Sequence, residues 1–85
     1  MSYRIRIPKR VQKELDALPS TIYARVRERI HSLSDDPRPS GVKKLKATAD
    51  NYRIRVGAYR IVYEVDDAKQ EVLLITIADR KDVYG

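Results

Sequence analysis

The sequence predicts an α+β fold, in which an N-terminal strand and a helical hairpin pack on one face of a small antiparallel β-sheet. Residues 51–65 alternate apolar and polar side chains on either side of Gly57-Ala58, which is the pattern of a β-hairpin with one buried face. Residues 9–33 instead repeat apolar side chains at helical spacing, and Pro19 divides them into two helices. Two helices followed by strands are typical of a sheet covered on one side.

The composition limits the classes of function. Lys and Arg number 18 against 12 Asp and Glu, so the net charge is +6 and favours phosphate-rich or acidic partners. The chain has no cysteine, which excludes disulfides and fits a reducing cytoplasm, where we expect the protein. No apolar run approaches the roughly 20 residues of a membrane span, so no membrane partner is expected. The length of 85 residues predicts a single domain over residues 1–85.

The first part of the chain predicts a strand and two helices. Residues 3–7 alternate apolar side chains with arginines and predict the first strand. Pro8 suits the first turn of a helix, whose apolar face ends near Leu18. Ser20 is expected to cap the second helix, and residues 35–41, rich in Asp, Pro and Gly, end it.

The second part predicts the remaining strands. Residues 42–47 suggest a basic edge strand, since lysines discourage edge-to-edge pairing. After the central hairpin, residues 71–78 are rich in β-branched and apolar side chains and predict a strand in the sheet interior. If this last strand runs without a bulge, Leu73, Ile75 and Ile77 share one face. A bulge would change that register, which the sequence leaves open.

Three arginines of the hairpin are expected on the sheet face that the helices leave uncovered. A two-residue turn places Arg55 opposite Arg60 and Arg53 opposite Val62. Like charges directly opposite each other destabilise a sheet, so the cluster favours binding of a polyanion such as RNA. A solvated polar face is the alternative. In the bulge-free register Arg80 also emerges beside Arg60.

No familiar metal or nucleophile motif is present, and neither a metal nor a cofactor is expected. The single histidine, His31, lies in a helical pattern and is interpreted as an ordinary surface or boundary residue. RNA cleavage needs no metal, because RNA carries its own nucleophile, the 2′-hydroxyl group. Clustered guanidiniums can orient the phosphate and neutralise the charge that develops on it. The same site could bind DNA without cutting it, since DNA lacks this hydroxyl.

Three segments carry a resemblance to a known family: the strand pair YRIRVGAYRIVYEV, the apolar strand VLLITIADR and the closing VY. Together they resemble the RelE branch of the RelE/ParE toxin superfamily, over essentially the whole chain. The resemblance implies the toxin of a type II toxin–antitoxin system, an mRNA interferase that cleaves A-site codons on the ribosome by metal-independent 2′-hydroxyl attack and inhibits translation. The implied partners are the ribosome, mRNA and a cognate antitoxin, with operator DNA bound only as a complex with that antitoxin.

The resemblance also implies roles for five side chains. Arg53 and Arg55 match the two basic residues of the family's first hairpin strand, and Arg60 matches the arginine of the second. Arg80 matches the arginine after the last strand. Tyr84 matches a tail tyrosine that, in the family, stacks on a base and helps to orient the 2′-hydroxyl. These five are the candidate catalytic residues.

Two departures from the family pattern leave the proton transfers open. The best-known pattern has lysines where this chain has Arg53 and Arg55. Arginine, with a pKa above about 12, binds phosphate but is a poor general base. Tyr84, with an unperturbed pKa near about 10, becomes a base only if neighbouring cations lower that pKa. The tail around Tyr84 is also shorter than in the best-known pattern.

Two other functions fit the same scaffold. The first is a ParE-like inhibitor of DNA gyrase, which by resemblance does not need the full set of basic residues and tyrosine. The second is a non-catalytic nucleic-acid-binding module, with steeply salt-dependent binding and no cleavage. Three lysines of the predicted edge strand are interpreted either as solvated or as contacts to RNA and the ribosome: Lys43, Lys44 and Lys46.

Overall fold

The computed structural model describes residues 2–44 and 51–79, and it has the predicted α+β arrangement. Its elements in chain order are β1 (Arg4–Arg6), α1 (Lys9–Asp16), α2 (Ser20–Ser32), β2 (Lys43–Lys44), β3 (Asn51–Val56), β4 (Tyr59–Asp66) and β5 (Glu71–Asp79). The strands form one sheet in the order β1-β5-β4-β3-β2. Its strand pairs are antiparallel except that β1 lies parallel to β5, so the N-terminal strand extends the predicted antiparallel sheet by one parallel pair.

A proline directly precedes each helix. The carbonyls of Pro8 and Pro19 accept hydrogen bonds from the backbone N–H groups of Gln12 and Tyr23, both at 2.9 Å. Ser20 is therefore the first residue of α2 and not its cap, and its predicted capping role is wrong. The preset φ of proline suits this position, and no side-chain hydrogen bond is needed to start the turn. Neither helix in the described part of the chain is long and apolar enough to cross a membrane.

The core lies between the two helices and one face of the sheet. Its buried apolar side chains come from both helices and the three central strands: Val11, Leu15, Val26, Ile30, Leu33, Tyr52, Ile54, Val56, Ile61, Tyr63, Val65, Val72, Leu74 and Ile77. On β3 these residues alternate with polar ones, and on β4 they alternate with Arg60, Val62 and Glu64, so the two helices cover one face of these strands. We call the opposite face of β3 and β4 the outer face.

The hairpin has the predicted register. Val56 pairs with Tyr59 across a two-residue turn, and Arg55 lies opposite Arg60. Gly57 has a φ of +59°, which favours glycine. A Cβ atom at this position would also lie 3.3 Å from Cδ1 of Ile22 on α2. A side chain at position 57 is thus both strained and crowded, and the turn is held close to the second helix.

The last strand contains a bulge. The partner of Val62 is Thr76 whereas the partner of Tyr63 is Leu74, so Ile75 is an extra residue on β5. The buried side chains of β5 are consequently unevenly spaced: Val72, Leu74 and Ile77. The interpretation that Leu73, Ile75 and Ile77 share one face is therefore wrong, because the extra residue shifts the alternation within the strand.

Side chains of α1 close the edge of β5 beyond its short pairing with β1. Arg10 Nη2 donates a hydrogen bond to the carbonyl of Ile75 at 2.6 Å. The Glu14 carboxylate accepts hydrogen bonds from the Ile77 backbone N–H at 2.9 Å and from the Thr76 hydroxyl at 3.1 Å. These contacts use backbone groups that an open strand edge would offer to another strand. Side chains of α1 therefore cover the part of this β5 edge that β1 does not reach.

Candidate functional site

The outer face brings together the three hairpin arginines, as the sequence predicts. Arg53 and Arg55 alternate with buried residues of β3, and Arg60 lies directly opposite Arg55 on β4. Arg55 is exposed and Arg53 is half-buried. Because the strands hold Arg55 directly opposite Arg60, two like charges face each other there, and an anion bound between them would relieve their repulsion.

Arg60 differs from its two neighbours in depth. Only 4% of its surface is exposed, although the sequence predicts an uncovered face. Its partners across the two strand ladders are Arg55 on β3 and Ala78 on β5. The expectation of an uncovered Arg60 is therefore wrong, because alternation reports the face of a sheet on which a side chain lies and not how deeply it is buried. Most of the Arg60 side chain is therefore shielded from solvent.

Four cationic side chains border a cavity of about 260 Å³ at the edge of β3. We call it the basic cavity, and its lining residues are Arg29, Ser40, Gly41, Lys43, Arg53 and Arg55. Lys43 of β2 pairs directly with Arg53 of β3, which places two like charges side by side. In residues 2–44 and 51–79 no carboxylate lies within ion-pair distance of these four cations. The cavity is thus suited to bind an anion.

Sequence reasoning missed Arg29. Arg25, Arg27, Glu28 and Arg29 resemble a solvated helix surface, and nothing in their order separates Arg29 from the rest. The structure leaves Arg29 half-buried beside Ile30, whereas Arg25 and Arg27 are exposed. The available signal in the sequence was that Arg29 borders the apolar stripe of the second helix, next to Ile30. Which strand edge it would reach depends on how α2 packs against β3.

The remaining candidate residues fall into two groups. Lys44 is exposed on β2 opposite Tyr52 and does not line the basic cavity. Lys46, Arg80 and Tyr84 lie outside the described residues, so their roles stay predictions. Within the described ranges, no group of three His, Cys, Asp or Glu side chains comes close enough together to hold a metal ion.

Arg38 lies in a second, differently built cluster, which we call the Arg38 cluster: Tyr3, Arg38, Tyr52, Tyr63 and Asp67. Arg38 donates to both carboxylate oxygens of Asp67, at 3.1 and 2.8 Å, and from Nε to the Tyr52 hydroxyl at 2.9 Å. The Tyr3 hydroxyl donates to Asp67 at 2.6 Å. Hydrogen bonds from Arg38 and Tyr3 hold the pKa of the Asp67 carboxyl below its usual value.

Tyr63 anchors this cluster from within the core. Its hydroxyl donates to the carbonyl of Pro37 at 2.7 Å, and its ring stacks on that of Tyr52 with 5.9 Å between centroids. Burial raises the pKa of Tyr63 to about 12, since the interior disfavours the phenolate. The cluster therefore holds the segment that leads directly into Ser40 and Gly41, and so shapes one wall of the basic cavity.

Comparisons with known proteins agree with this fold. Residues 5–84 match the family described as the ParE toxin of the type II toxin–antitoxin system parDE. The mRNA interferase toxin RelE of Escherichia coli is 31% identical over 89 residues, which cover 100% of this chain and 93% of that protein. Toxin RelG of Mycobacterium tuberculosis is 31% identical over 85 residues, covering 99% and 98%.

A solved structure gives the same result. A chain of the archaeal RelE–RelB complex from Pyrococcus horikoshii superposes with a TM-score of 0.83 at 35% identity, over 94% of this chain and 97% of that one. The likeness spans nearly the whole of both chains, so it concerns the fold as a whole and not a single element. The protein therefore belongs to the ParE toxin family, within the RelE/ParE superfamily of toxins.

Proposed function

We propose that the protein is the toxin of a type II toxin–antitoxin system and acts as an mRNA interferase, an endoribonuclease that cleaves A-site codons on the ribosome and thereby inhibits translation. The observation that carries the proposal is the placement of Arg53 and Arg55 on one sheet face, beside a cavity lined by further cations. Similarity along the whole chain to the mRNA interferase toxin RelE of Escherichia coli supports it.

The proposed reaction is an internal phosphoryl transfer. The 2′-oxygen of the RNA attacks the adjacent phosphorus, the O2′–P bond forms and the P–O5′ bond breaks. The products are a 2′,3′-cyclic phosphate and a 5′-hydroxyl; the 2′-hydroxyl loses a proton and the leaving oxygen gains one. The guanidiniums of Arg53 and Arg55 hold the phosphate and neutralise its developing negative charge. Since a guanidinium is a poor general base, another group must move the protons, and Tyr84 is our candidate.

Arg60 is proposed to act on the same phosphate once the site has rearranged. A guanidinium in a poorly solvated position interacts more strongly with an anion than an exposed one, because water screens it less. The same burial makes Arg60 a poor first choice for mutation, since truncation would leave a void in addition to removing charge. A substitution of Arg55, which is exposed, should change activity with less effect on folding.

The proposed partners follow from the same similarity. The Pyrococcus horikoshii relative was crystallised as a RelE–RelB complex, and we propose that a cognate antitoxin likewise binds and inactivates this chain. The net charge of +6 favours an acidic partner. Operator DNA is proposed to be bound only by the complex of toxin and antitoxin. A toxin that acts on ribosomes must be located in the cytoplasm.

The direct test is an incubation of the protein with programmed ribosomes, with cleavage mapped by primer extension. We expect cuts in the A-site codon, and fragments that carry a 2′,3′-cyclic phosphate. Replacement of the 2′-hydroxyl at that codon by 2′-O-methyl should abolish the cut, because the nucleophile is removed. Intact mRNA under conditions in which Escherichia coli RelE cuts would overturn the proposal.

A second candidate function is inhibition of DNA gyrase. It is favoured by the description of the matching family, which names the ParE toxin of parDE. A supercoiling assay tests it: inhibition of gyrase by the purified protein, together with intact mRNA on ribosomes, would establish this function instead. Steeply salt-dependent RNA binding with neither activity would point to a non-catalytic binding module.

A further inference from the structure

We propose that the basic cavity is a second phosphate subsite, in which Arg29 and Lys43 hold the RNA backbone next to the phosphate that is cleaved. The inference rests on the proposed function and extends it to a residue of α2 that the hairpin pattern does not include. Arg29 is a positioning residue in this scheme, since it contacts a neighbouring phosphate and not the reacting atoms.

The topology places Arg29 at this edge of the sheet. α2 packs along β3, with Ile22 against the turn at Gly57 and Arg29 two helical turns further on. The pairing of β2 with β3 begins at Lys43 and Arg53, so the chain before it, at Ser40 and Gly41, borders the cavity without continuing the ladder. Arg29 thus reaches the β3 edge from the helical layer, while the other three cations come from the sheet.

The lining of the cavity matches a phosphodiester. Three guanidiniums offer planar forks of N–H donors and Lys43 adds an ammonium group, which together fit phosphate oxygens. Ser40 contributes a hydroxyl donor, and among the described residues beyond its chain neighbours no heavy atom lies within 4 Å of the position where a Cβ of Gly41 would stand. At about 260 Å³ the cavity is smaller than the roughly 300–1,000 Å³ of sites for drug-sized ligands, and suits one backbone group.

The charge balance is also that of a ligand site. Where this chain uses an arginine for structure, at Arg38, it supplies a carboxylate and a phenol oxygen as acceptors. Around the basic cavity the described residues supply no carboxylate, so a bound external anion would relieve the repulsion among the four cations. Arg53 and Arg55 belong both to this cavity and to the outer face, so an RNA backbone bound in the cavity continues directly towards Arg60.

Binding of a fluorescein-labelled 2′-O-methyl RNA hexamer, followed by fluorescence anisotropy, tests the subsite without cleavage. We expect Arg29→Gln to weaken binding about tenfold, the loss of one charge-assisted hydrogen bond. The slope of log K against log salt should fall by about 0.7, the value for one phosphate contact on a single strand. Arg29→Lys should restore the salt slope, because the charge returns.

The matched control is Arg27→Gln, which removes the same charge from the same helix. Arg27 lies two residues away, on a face bordered by Tyr23 and His31. Its loss should change affinity by no more than about twofold, as for an exposed charge outside a binding site. Thermal melts of both variants establish that they are folded. Equal RNA affinity of Arg29→Gln and Arg27→Gln would overturn the proposal.

The ribosome assay separates failure of the subsite from failure of the proposed function. If the wild-type protein cleaves mRNA, Arg29→Gln should raise KM while kcat stays near the wild-type value. If the wild-type protein does not cleave but Arg29→Gln still loses RNA affinity, the nuclease function fails, while the basic cavity still binds an RNA phosphate through Arg29. If Arg29→Gln instead weakens binding of poly-glutamate and leaves RNA binding unchanged, the cavity serves an acidic protein and the proposal is overturned.

Discussion

The Arg38 cluster and the basic cavity use the same side chain in opposite ways. Arg38 donates to two carboxylate oxygens and a phenol oxygen, all from within the chain. Arg29, Arg53 and Arg55 gather instead with Lys43, where the described residues offer no carboxylate. The arginine that stabilises this fold comes with acceptors, whereas the arginines that we propose to bind RNA lie near one another with no carboxylate among the described residues.

The two regions are also mechanically linked. Arg38 is anchored to Asp67, and Tyr63 holds the carbonyl of Pro37, immediately before the turn that lines the basic cavity. Arg38, which is paired with Asp67, therefore helps to position one wall of the cavity that Arg29, Arg53 and Arg55 line. This division of roles can be tested by mutation, because the basic cavity and the Arg38 cluster each contain an arginine that does not belong to the other.

The largest effect is expected for catalysis by Arg55→Gln. Loss of one donor to the developing charge should lower kcat/KM on programmed ribosomes by about 10²–10³-fold. Folding should survive, since Arg55 is exposed. Arg38→Gln should lower the activity of the folded protein far less, because it alters the support of one cavity wall and removes no donor to the reacting phosphate. The contrast between the clusters fails if both variants, at equal folded concentration, lose comparable activity.

The next effect is on stability, and it is expected for Arg38→Gln. This change leaves the hydroxyl of the nearly buried Tyr52 without its donor and removes the partner of Asp67. The free energy of unfolding should fall by about 1–2 kcal/mol, a range reduced for the partial exposure of the ion pair. Urea denaturation measures it, with Arg27→Gln as a control of equal charge. A change within about 0.5 kcal/mol, as is usual for surface sites, would deny Arg38 its structural role.

Tyr63→Phe should cost about 1 kcal/mol, because the buried carbonyl of Pro37 loses its donor. It should also alter the alkaline limb of the stability curve. The folded protein holds the Tyr63 proton more tightly than the unfolded chain, since its pKa rises from 10.0 to about 12. The stabilisation is therefore complete below pH 10 and is lost as the pH rises through 12. Melting temperatures of wild type and variant should converge over that range; a constant difference would contradict the burial of this phenol.

The smallest effect is a gain in stability from Arg55→Gln. Removal of one of two like charges that face each other on the sheet should stabilise the protein by about 0.2–1 kcal/mol. Added salt should shrink this gain, because it screens the remaining repulsion. The measurement is urea denaturation at low and high salt. A variant less stable than wild type would show that Arg55 already has a structural partner.

The hairpin shows how much could be predicted from the residues alone. Strict alternation and Gly57 were enough to place Arg55 opposite Arg60 and to assign the three arginines to one face. Both helices were likewise visible in their apolar spacing. Such features depend on neighbours in sequence or on one tight turn, and these interactions are local.

Other features depended on contacts between distant parts of the chain. The bulge at Ile75, the burial of Arg60 and the arrival of Arg29 at the edge of β3 have no local signature. The same is true of the bond between Arg38 and Asp67, which are 29 residues apart.

By itself, the sequence determined which residues form strands and helices, and which side of the hairpin is charged, because side-chain periodicity follows directly from backbone geometry. Only the tertiary structure decided how deep each arginine lies and which cations share a cavity. Depth and proximity are set by how helices and strands pack, and that packing depends on the shapes of surfaces that are far apart in the chain.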